Sequence, residues 1–366
     1  MKHLEDYILL NMVENLGFNK LKNLLEFYNE PSRILEASKR DLAAMEGIGD
    51  IIAEKIVSLK KQNLDKELRL MEKKGVYAVS VFDSGYPQNL KNSYSPPVVL
   101  YIKGQINPED CDAVAVVGSR IPSHYGISNC EKLSADLASR GITVVSGMAR
   151  GIDTAAHKGA LKSGRTIAVL GSGLNRIYPP ENRELADEIC EKGAVISEFP
   201  MDTSPERFNF PRRNRVISGL SLGVVVVEAA ENSGALITAN FALEENREVF
   251  AMPGRIDSKV STGTNKLIKE GAKLIETADD VIEEIQSNLK YYSKRREKTN
   301  GASAGKEVYL TPEENMMKDL LSYDPVYIDE LAEKTNMSVD KVAGLLVKLE
   351  IKNIIMELPG KNFILK

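Results

Sequence analysis

Ala113-Val114-Ala115-Val116-Val117-Gly118-Ser119-Arg120 runs five small or β-branched apolar residues straight into a glycine turn and a cation. A run of that length and composition, stopped by glycine, reads as a strand buried on both faces with its carboxyl end open to a ligand. Similar runs recur at 142–145, 166–170, 194–196, 224–227 and 249–251, separated by helical patterns such as 129–139 and 182–191. Strands that alternate with helices imply parallel βαβ units with right-handed crossovers. The middle of the chain is therefore α/β, a Rossmann-like doubly wound and mostly parallel sheet.

In such a sheet ligands sit beyond the carboxyl ends of the strands. Those ends carry glycine-rich turns: Gly118-Ser119-Arg120; Ser146-Gly147-Met148-Ala149-Arg150-Gly151-Ile152-Asp153; Gly171-Ser172-Gly173-Leu174-Asn175; and the stretch from Glu228 to Ser233-Gly234, which opens a helix. Glycine lets backbone amides approach an anion, and a helix N-terminus favours one. Four such turns at successive strand ends, two with an embedded arginine, carry more weight than any one alone. The chain has no GxxxxGK[ST] motif and no GxGxxG after the first strand, which argues against a P-loop ATPase and against a dinucleotide cofactor. No serine or cysteine has an evident base and orienting partner. Asp153 and His157 are four residues apart and read as a hydrogen-bonded pair at a helix start, with a base or ligand role as the alternative. No clustered ligand spacing supports a metal site, so neither cofactor nor metal is expected.

The densest cationic stretch is Phe210-Pro211-Arg212-Arg213-Asn214-Arg215-Val216-Ile217-Ser218-Gly219, with Phe208 just before it. Arginine forks bind planar oxyanions, and a phenylalanine exposed beside them suits base stacking. Pairing with acids such as Glu206 is the plainer alternative, but arginine at a helix start opposes the macrodipole. The whole chain, 366 residues with net charge −4, has no bulk attraction for polyanions. Any polyanion must be held at a local site.

Residues 1–75 read as helical, with the turn Gly47-Ile48-Gly49 in a helix-hairpin-helix pattern. That turn fits phosphate contact and a simple αα-corner equally well. Residues 76–286 form the extended Rossmann-like unit and 287–306 a polar, basic linker. Residues 307–366 carry helices at 312–321, 328–334 and 339–348, then a hairpin at 354–358 and 363–365, the order of a winged helix. Acids near the N-terminus do not suit a signal peptide, and no apolar run reaches the roughly 20 residues of a membrane span. Cys111, Cys130 and Cys190 are scattered and odd in number, which suits reduced thiols and a cytoplasmic protein.

On these motifs the chain resembles the DNA-processing protein A family (DprA, also called Smf). Gly118-Ser119-Arg120, Ser146 to Asp153, Gly171-Ser172-Gly173-Leu174, Ser197-Glu198-Phe199-Pro200, Phe210 to Ser221, Ser233 to Ala239, Val249 to Gly254 and Gly263-Thr264-Asn265 follow in family order. The resemblance implies a sterile-alpha-motif-like or helix-hairpin-helix N-terminal domain and a winged-helix C-terminal domain. It implies a non-enzymatic, cytoplasmic protein that binds single-stranded DNA, protects incoming strands in natural transformation and loads the RecA recombinase. It also implies a homodimer, with residues 267–275 as its face; single-stranded DNA-binding protein is an open further partner.

The expected strand contacts are Gly118, Ser119, Arg120, Ser146, Gly147, Arg150, Gly151, Gly171, Ser172, Asn175, Arg207, Phe208, Phe210, Arg212, Arg213, Asn214, Arg215, Ser233 and Gly234. Arg120 and the segment Arg207, Phe208 and Phe210 carry the contacts in the family. Two rivals remain. The Rossmann core is also similar to the "Lonely guy" nucleotide phosphoribohydrolases, but Glu228-Ala229-Ala230-Glu231-Asn232-Ser233-Gly234 lacks their double glycine, threonine and glutamate spacing. A duplex-binding regulator acting through 339–348 would have only Lys341 and Lys348 as cations there.

Overall fold

In the computed structural model, residues 3–291, 310–322, 325–352 and 354–365 are described. Six helices come first: α1 (Leu4–Asn11), α2 (Phe18–Tyr28), α3 (Pro31–Glu36), α4 (Lys39–Ala43), α5 (Gly49–Val57) and α6 (Lys61–Lys74). Leu21 and Leu24 of α2 lie on one face at helical spacing, and both are buried with Ile34, Leu42 and Ile56. Gly75, at φ 62°, ends α6 in the left-handed conformation and releases the chain directly into a strand.

The strand is β1 (Val76–Ser80), followed by α7 (Gln88–Lys91) and β2 (Val99–Gly104). The alternating part then runs β3 (Ala113–Val117), α8 (His124–Ser139), β4 (Thr143–Ser146), α9 (Ile152–Leu161), β5 (Thr166–Val169), α10 (Arg183–Lys192) and β6 (Ala194–Ser197). It continues through α11 (Asn209–Leu220), β7 (Gly223–Val226), α12 (Gly234–Glu244), β8 (Glu248–Ala251), α13 (Thr262–Lys269), β9 (Lys273–Leu274) and α14 (Ala278–Ile285). The strands form one sheet of nine in the order β1-β2-β6-β5-β4-β3-β7-β8-β9. Only β2 runs against its neighbours, pairing Tyr101 with Ser197 on one side and Val76 with Lys103 on the other. The other pairings are parallel, for instance Ala115 with Val145 and Val116 with Val225. The mostly parallel, doubly wound α/β expectation holds, and the sheet gains β1, β2 and β9, which the sequence reading does not contain.

Every residue of β3 is buried, as a strand covered on both faces requires. Alternation decides the partners: Val99 and Tyr101 of β2 pack in the cluster that contains Leu21, Leu24 and Ile34, while Leu100 and Ile102 join the cluster on the other face of the sheet, the one that α11 and α12 also enter. The helices of 1–75 thus share a core with the sheet. Two polar contacts, one buried and one partly buried, add to it. Glu67 accepts from the Met201 amide at 2.7 Å, and Asn11 Nδ2 donates to the Glu198 carbonyl at 3.0 Å. Burial pushes the Glu67 carboxyl above its usual range.

A second compact unit holds the C-terminal residues. Its helices are α15 (Pro312–Asp319), α16 (Ile328–Thr335) and α17 (Val339–Ile351), and its strands are β10 (Val326–Tyr327), β11 (Ile355–Leu358) and β12 (Asn362–Leu365). A capping box starts α15: Thr311 Oγ1 accepts from the Glu314 amide at 3.2 Å, and Glu314 Oε2 accepts from the Thr311 amide at 2.7 Å. Leu331, Val342, Leu346 and Leu349 form its core. The order matches a winged helix, with β10 added to the expected two-stranded wing as a third strand. The linker expected at 287–306 lies, from 292 onward, outside the described residues.

One polar clamp ties β4 and β5 at the end of the sheet away from the glycine turns. Buried Asp110 accepts from Thr143 Oγ1 at 2.7 Å, from Arg165 at 3.0 and 2.9 Å, and from the Asn107 amide at 2.7 Å. Asp110→Ala strands these donors and should cost about 3–5 kcal/mol, read as a lowered urea midpoint; a loss under about 0.5 kcal/mol, the range of a surface change, would contradict the clamp.

Candidate functional site

The turns after β3, β4 and β7 are stitched to one another at the carboxyl edge of the sheet. The Ser119 amide donates to the Glu228 carbonyl at 2.7 Å, and the Ile152 amide donates to the Ser119 carbonyl at 3.1 Å. A Cβ on Gly118 would lie 2.8 Å from Ile152 and 2.9 Å from the Glu228 oxygen, so the turn closes only with glycine. The order of strands reverses between β3 and β7, where open α/β sheets place their ligands. Arg120 leaves this point exposed.

Helix α11 carries the arginine run beneath these turns. The Arg213 guanidinium occupies the space a Gly147 side chain would take and donates to the Gly147 carbonyl and, at 3.0 Å, to that of Val169. The Phe210 ring fills the equivalent space at Gly171, 2.8 Å from where a Cβ would stand. Above it, the Arg120 guanidinium lies 5.4 Å from the ring centroid and Tyr178 lies 6.0 Å away, tilted by 45°. Phe208 at the start of α11 is 68% exposed. Arg207, Arg150 and Arg212 are exposed too, Arg150 paired with Glu181 and Arg212 with Glu198.

The structure therefore divides the residues that the sequence groups together. Arg120, Arg150, Arg207, Phe208 and Arg212 face solvent, and Phe210, Asn175, Ser119, Gly151 and Ser233 are partly exposed. Gly234 is open at the start of α12, where Ser233 Oγ caps the Ala235 amide at 3.3 Å. Arg213 and Asn214 are a correction. Both are buried, and Asn214 Nδ2 donates to the Gly234 carbonyl at 3.2 Å, so they brace the turns from below. The side chains of Ser146 and Ser172 are likewise spent internally, donating to the carbonyls of Val116 at 2.6 Å and Arg176 at 2.7 Å. Arg215 is half-buried, bonded to the Ser95 carbonyl and to Glu198 at 2.6 Å; in the alternative of pairing with acids, Glu198 rather than Glu206 is the acid that Arg212 and Arg215 use.

Asp153 and His157 do not pair as expected. Asp153 accepts from the Ala149 amide at 3.2 Å, while His157 Nδ1 sits 2.7 Å from Thr166 Oγ1 on β5. Both are buried, so neither presents a base to solvent. Burial raises the Asp153 carboxyl, opposed by Arg213 and Arg120, and burial lowers the Arg213 guanidinium. Two useful residues escaped the sequence reading. Tyr178 precedes Pro179-Pro180, and an aromatic beside prolines in a ligand-facing loop was its only signal. Glu198 sits in the Ser197-Glu198-Phe199-Pro200 motif, but nothing local announces that it anchors two arginines. Among the described residues no group of three or more His, Cys, Asp or Glu gathers as a metal site, and no helix is long and apolar enough to cross a membrane.

Residues 78–286 match the family model for DNA recombination-mediator protein A, and residues 302–361 match the DprA winged helix domain. Protein Smf of Escherichia coli strain K12 is 39% identical over 310 residues, spanning 84% of this chain and 82% of that protein. Among solved structures, DNA processing protein A from Streptococcus pneumoniae aligns with TM-score 0.67 and 37% identity over 78% of this chain and 99% of its own. DNA processing protein A from Helicobacter pylori, described for its single-stranded DNA binding mode, aligns with TM-score 0.52 and 29% identity over 59% of this chain and 97% of its own.

Two outcomes follow from this division of labour. Arg213→Ala removes a buried, bonded charge and should destabilise the protein by about 3–5 kcal/mol, whereas Arg120→Ala should stay within about 0.5 kcal/mol; equal urea midpoints for the two variants would refute it. The second concerns His157, whose pKa burial lowers from 6.5 to about 3. Above 6.5 the imidazole is neutral folded and unfolded; below it only the unfolded chain takes the proton. His157 therefore costs stability as pH falls from 6.5, by at most about 1.4 kcal/mol per pH unit. Asp153, raised by burial, works in the opposite sense, so the comparison is between the protein and His157→Gln. The variant should lose less stability between about pH 7 and 5; parallel curves would show that His157 does not titrate on unfolding.

Proposed function

The chain belongs to the DNA recombination-mediator protein A family, and from that premise we propose that it binds single-stranded DNA at the stitched glycine turns and acts by binding, without catalysis. The observation that carries this reading is the gathering of exposed Arg120 and half-exposed Tyr178 against the Phe210 ring, beside the glycine turns. Phosphates dock on Arg120, Arg150 and Arg207; bases stack on aromatic rings and guanidinium planes. That division needs no sequence readout. It also accommodates a net charge of −4, because a few exposed arginines gathered at one site suffice without bulk positive charge.

A non-catalytic role is supported by what is buried. Asp153 and His157 lie under the turns, and burial raises the Cys130 thiol away from reactivity. In this reading the protein shields incoming strands in transformation and hands them to the RecA recombinase in the cytoplasm. It does so as a homodimer, with residues 1–75, which share the core of the sheet, and residues 307–366 accessory to the strand-binding unit at 76–286. Of the dimer face proposed at 267–275, Leu267 and Ile275 are buried within this chain and Leu274 is 45% exposed. The winged helix is a poor duplex reader in this account, since Lys341 on α17 is already paired with Glu313 at 2.7 Å.

Arg120→Ala should weaken binding to a single-stranded oligonucleotide by about 1–3 kcal/mol in a gel-shift titration; unchanged affinity would remove Arg120 from the site. Deleting residues 307–366 should leave that affinity within about threefold, and a loss near a hundredfold would move the site to the winged helix.

A further inference from the structure

Helix α11 has a second working face. Phe210 and Arg213 point under the glycine turns, whereas Phe208, Arg212 and Arg215 line a groove of about 1260 Å³ whose far wall is the helical layer of 1–75, at residues 11–20 and 47–52. Its volume exceeds the roughly 300–1,000 Å³ of a small-ligand pocket. Phe208 belongs to this groove and lies two residues from Phe210, so the groove adjoins the first site.

The charges in the groove do not suit a phosphate. Its acids Glu14, Asp50, Glu198 and Glu206 outnumber its cations Lys20, Arg212 and Arg215. Glu198 is 6% exposed, and its Oε2 accepts from Arg212 at 3.3 Å and Arg215 at 2.6 Å. Its Oε1 is buried without a hydrogen-bond partner, a costly state for a carboxylate oxygen unless a donor arrives. The Arg212 guanidinium lies 4.9 Å from the Phe199 ring centroid while its side chain is half-exposed, so it can carry a second flat group. A flat apolar face with a hydrogen-bond donor on its edge satisfies all three features.

Resting on the reading above, we propose that this groove is a second subsite on the same strand, which takes an unpaired nucleobase by its edge, with Glu198 Oε1 accepting from the exocyclic amino group and Arg212 and Phe208 stacking on its faces. Cytosine, adenine and guanine all present such an amino group. Thymine offers only an N–H flanked by two carbonyls, which oppose a carboxylate. The subsite therefore gives a modest base preference to a protein whose first site has none.

The test is anisotropy titration of the full chain with labelled oligo(dC) and oligo(dT) of equal length. Oligo(dC) should bind roughly three- to tenfold tighter, and Glu198→Gln should abolish the difference. Because Glu198 also holds two arginines, a second variant leaves the fold alone: Ile51→Glu, at a 75% exposed residue of the far wall, adds a carboxylate to the path and should weaken both oligonucleotides severalfold. Equal affinity for the two homopolymers, a preference that survives Glu198→Gln, or an Ile51→Glu variant that binds like the parent would each overturn the proposal. The last is also the result expected if a polypeptide fills the groove. If Arg120→Ala still weakens binding in those cases, the first site stands and only this subsite fails; a parent protein that binds neither oligonucleotide removes both.

Discussion

The Arg213 guanidinium lies under Gly147, donating to the carbonyls of Gly147 and Val169, with the charge of Asp153 offsetting its burial. A buried cation must keep its partners or the fold suffers, so this contact ties α11 to the ends of β4 and β5. Helical periodicity then assigns the rest of α11. Phe210 sits below Gly171 on the same face as Arg213, while Arg212 and Arg215 turn toward Glu198. Arg120 reaches the Phe210 ring because the turn after β3 is closed by its own hydrogen bond to the Glu228 carbonyl. Any side chain at Gly147 would displace the guanidinium and loosen the whole arrangement.

This arrangement separates binding groups from bracing groups in a way that suits a scaffold for a flexible polyanion. The polar side chains within the turns are spent on backbone carbonyls, as with Ser146 and Ser172, or on capping, as with Ser233. The turns are therefore fixed before any ligand arrives, which limits the ordering cost of binding. The outward groups, Arg120, Arg150, Arg207 and Phe208, are long or flat and tolerate any base sequence.

Much of this was legible from residue order. Apolar runs with glycine stops located the parallel strands, because a strand buried on both faces has a composition of its own. What was not legible depends on distant partners. β2 follows Pro96-Pro97 and takes its antiparallel sense from β6, more than ninety residues away. β9 is two residues long, too short for any period. The helical layer of 1–75 was visible, but that Leu21 and Leu24 share a core with Tyr101 was not. Within the arginine run, residue type could not say which guanidinium is buried. Arg213 and Arg215 are chemically identical, and only the Gly147 gap above α11 separates their fates.

The most direct measurement is the affinity of the purified chain for a labelled single-stranded oligonucleotide as salt is raised, with duplex of the same sequence as competitor. Binding through a local cationic site should be tight and resist the duplex, and it should weaken with salt at a slope of about −0.7 per phosphate neutralised. Absent binding, or binding that the duplex removes, would contradict the account and shift attention from the glycine turns to the winged helix.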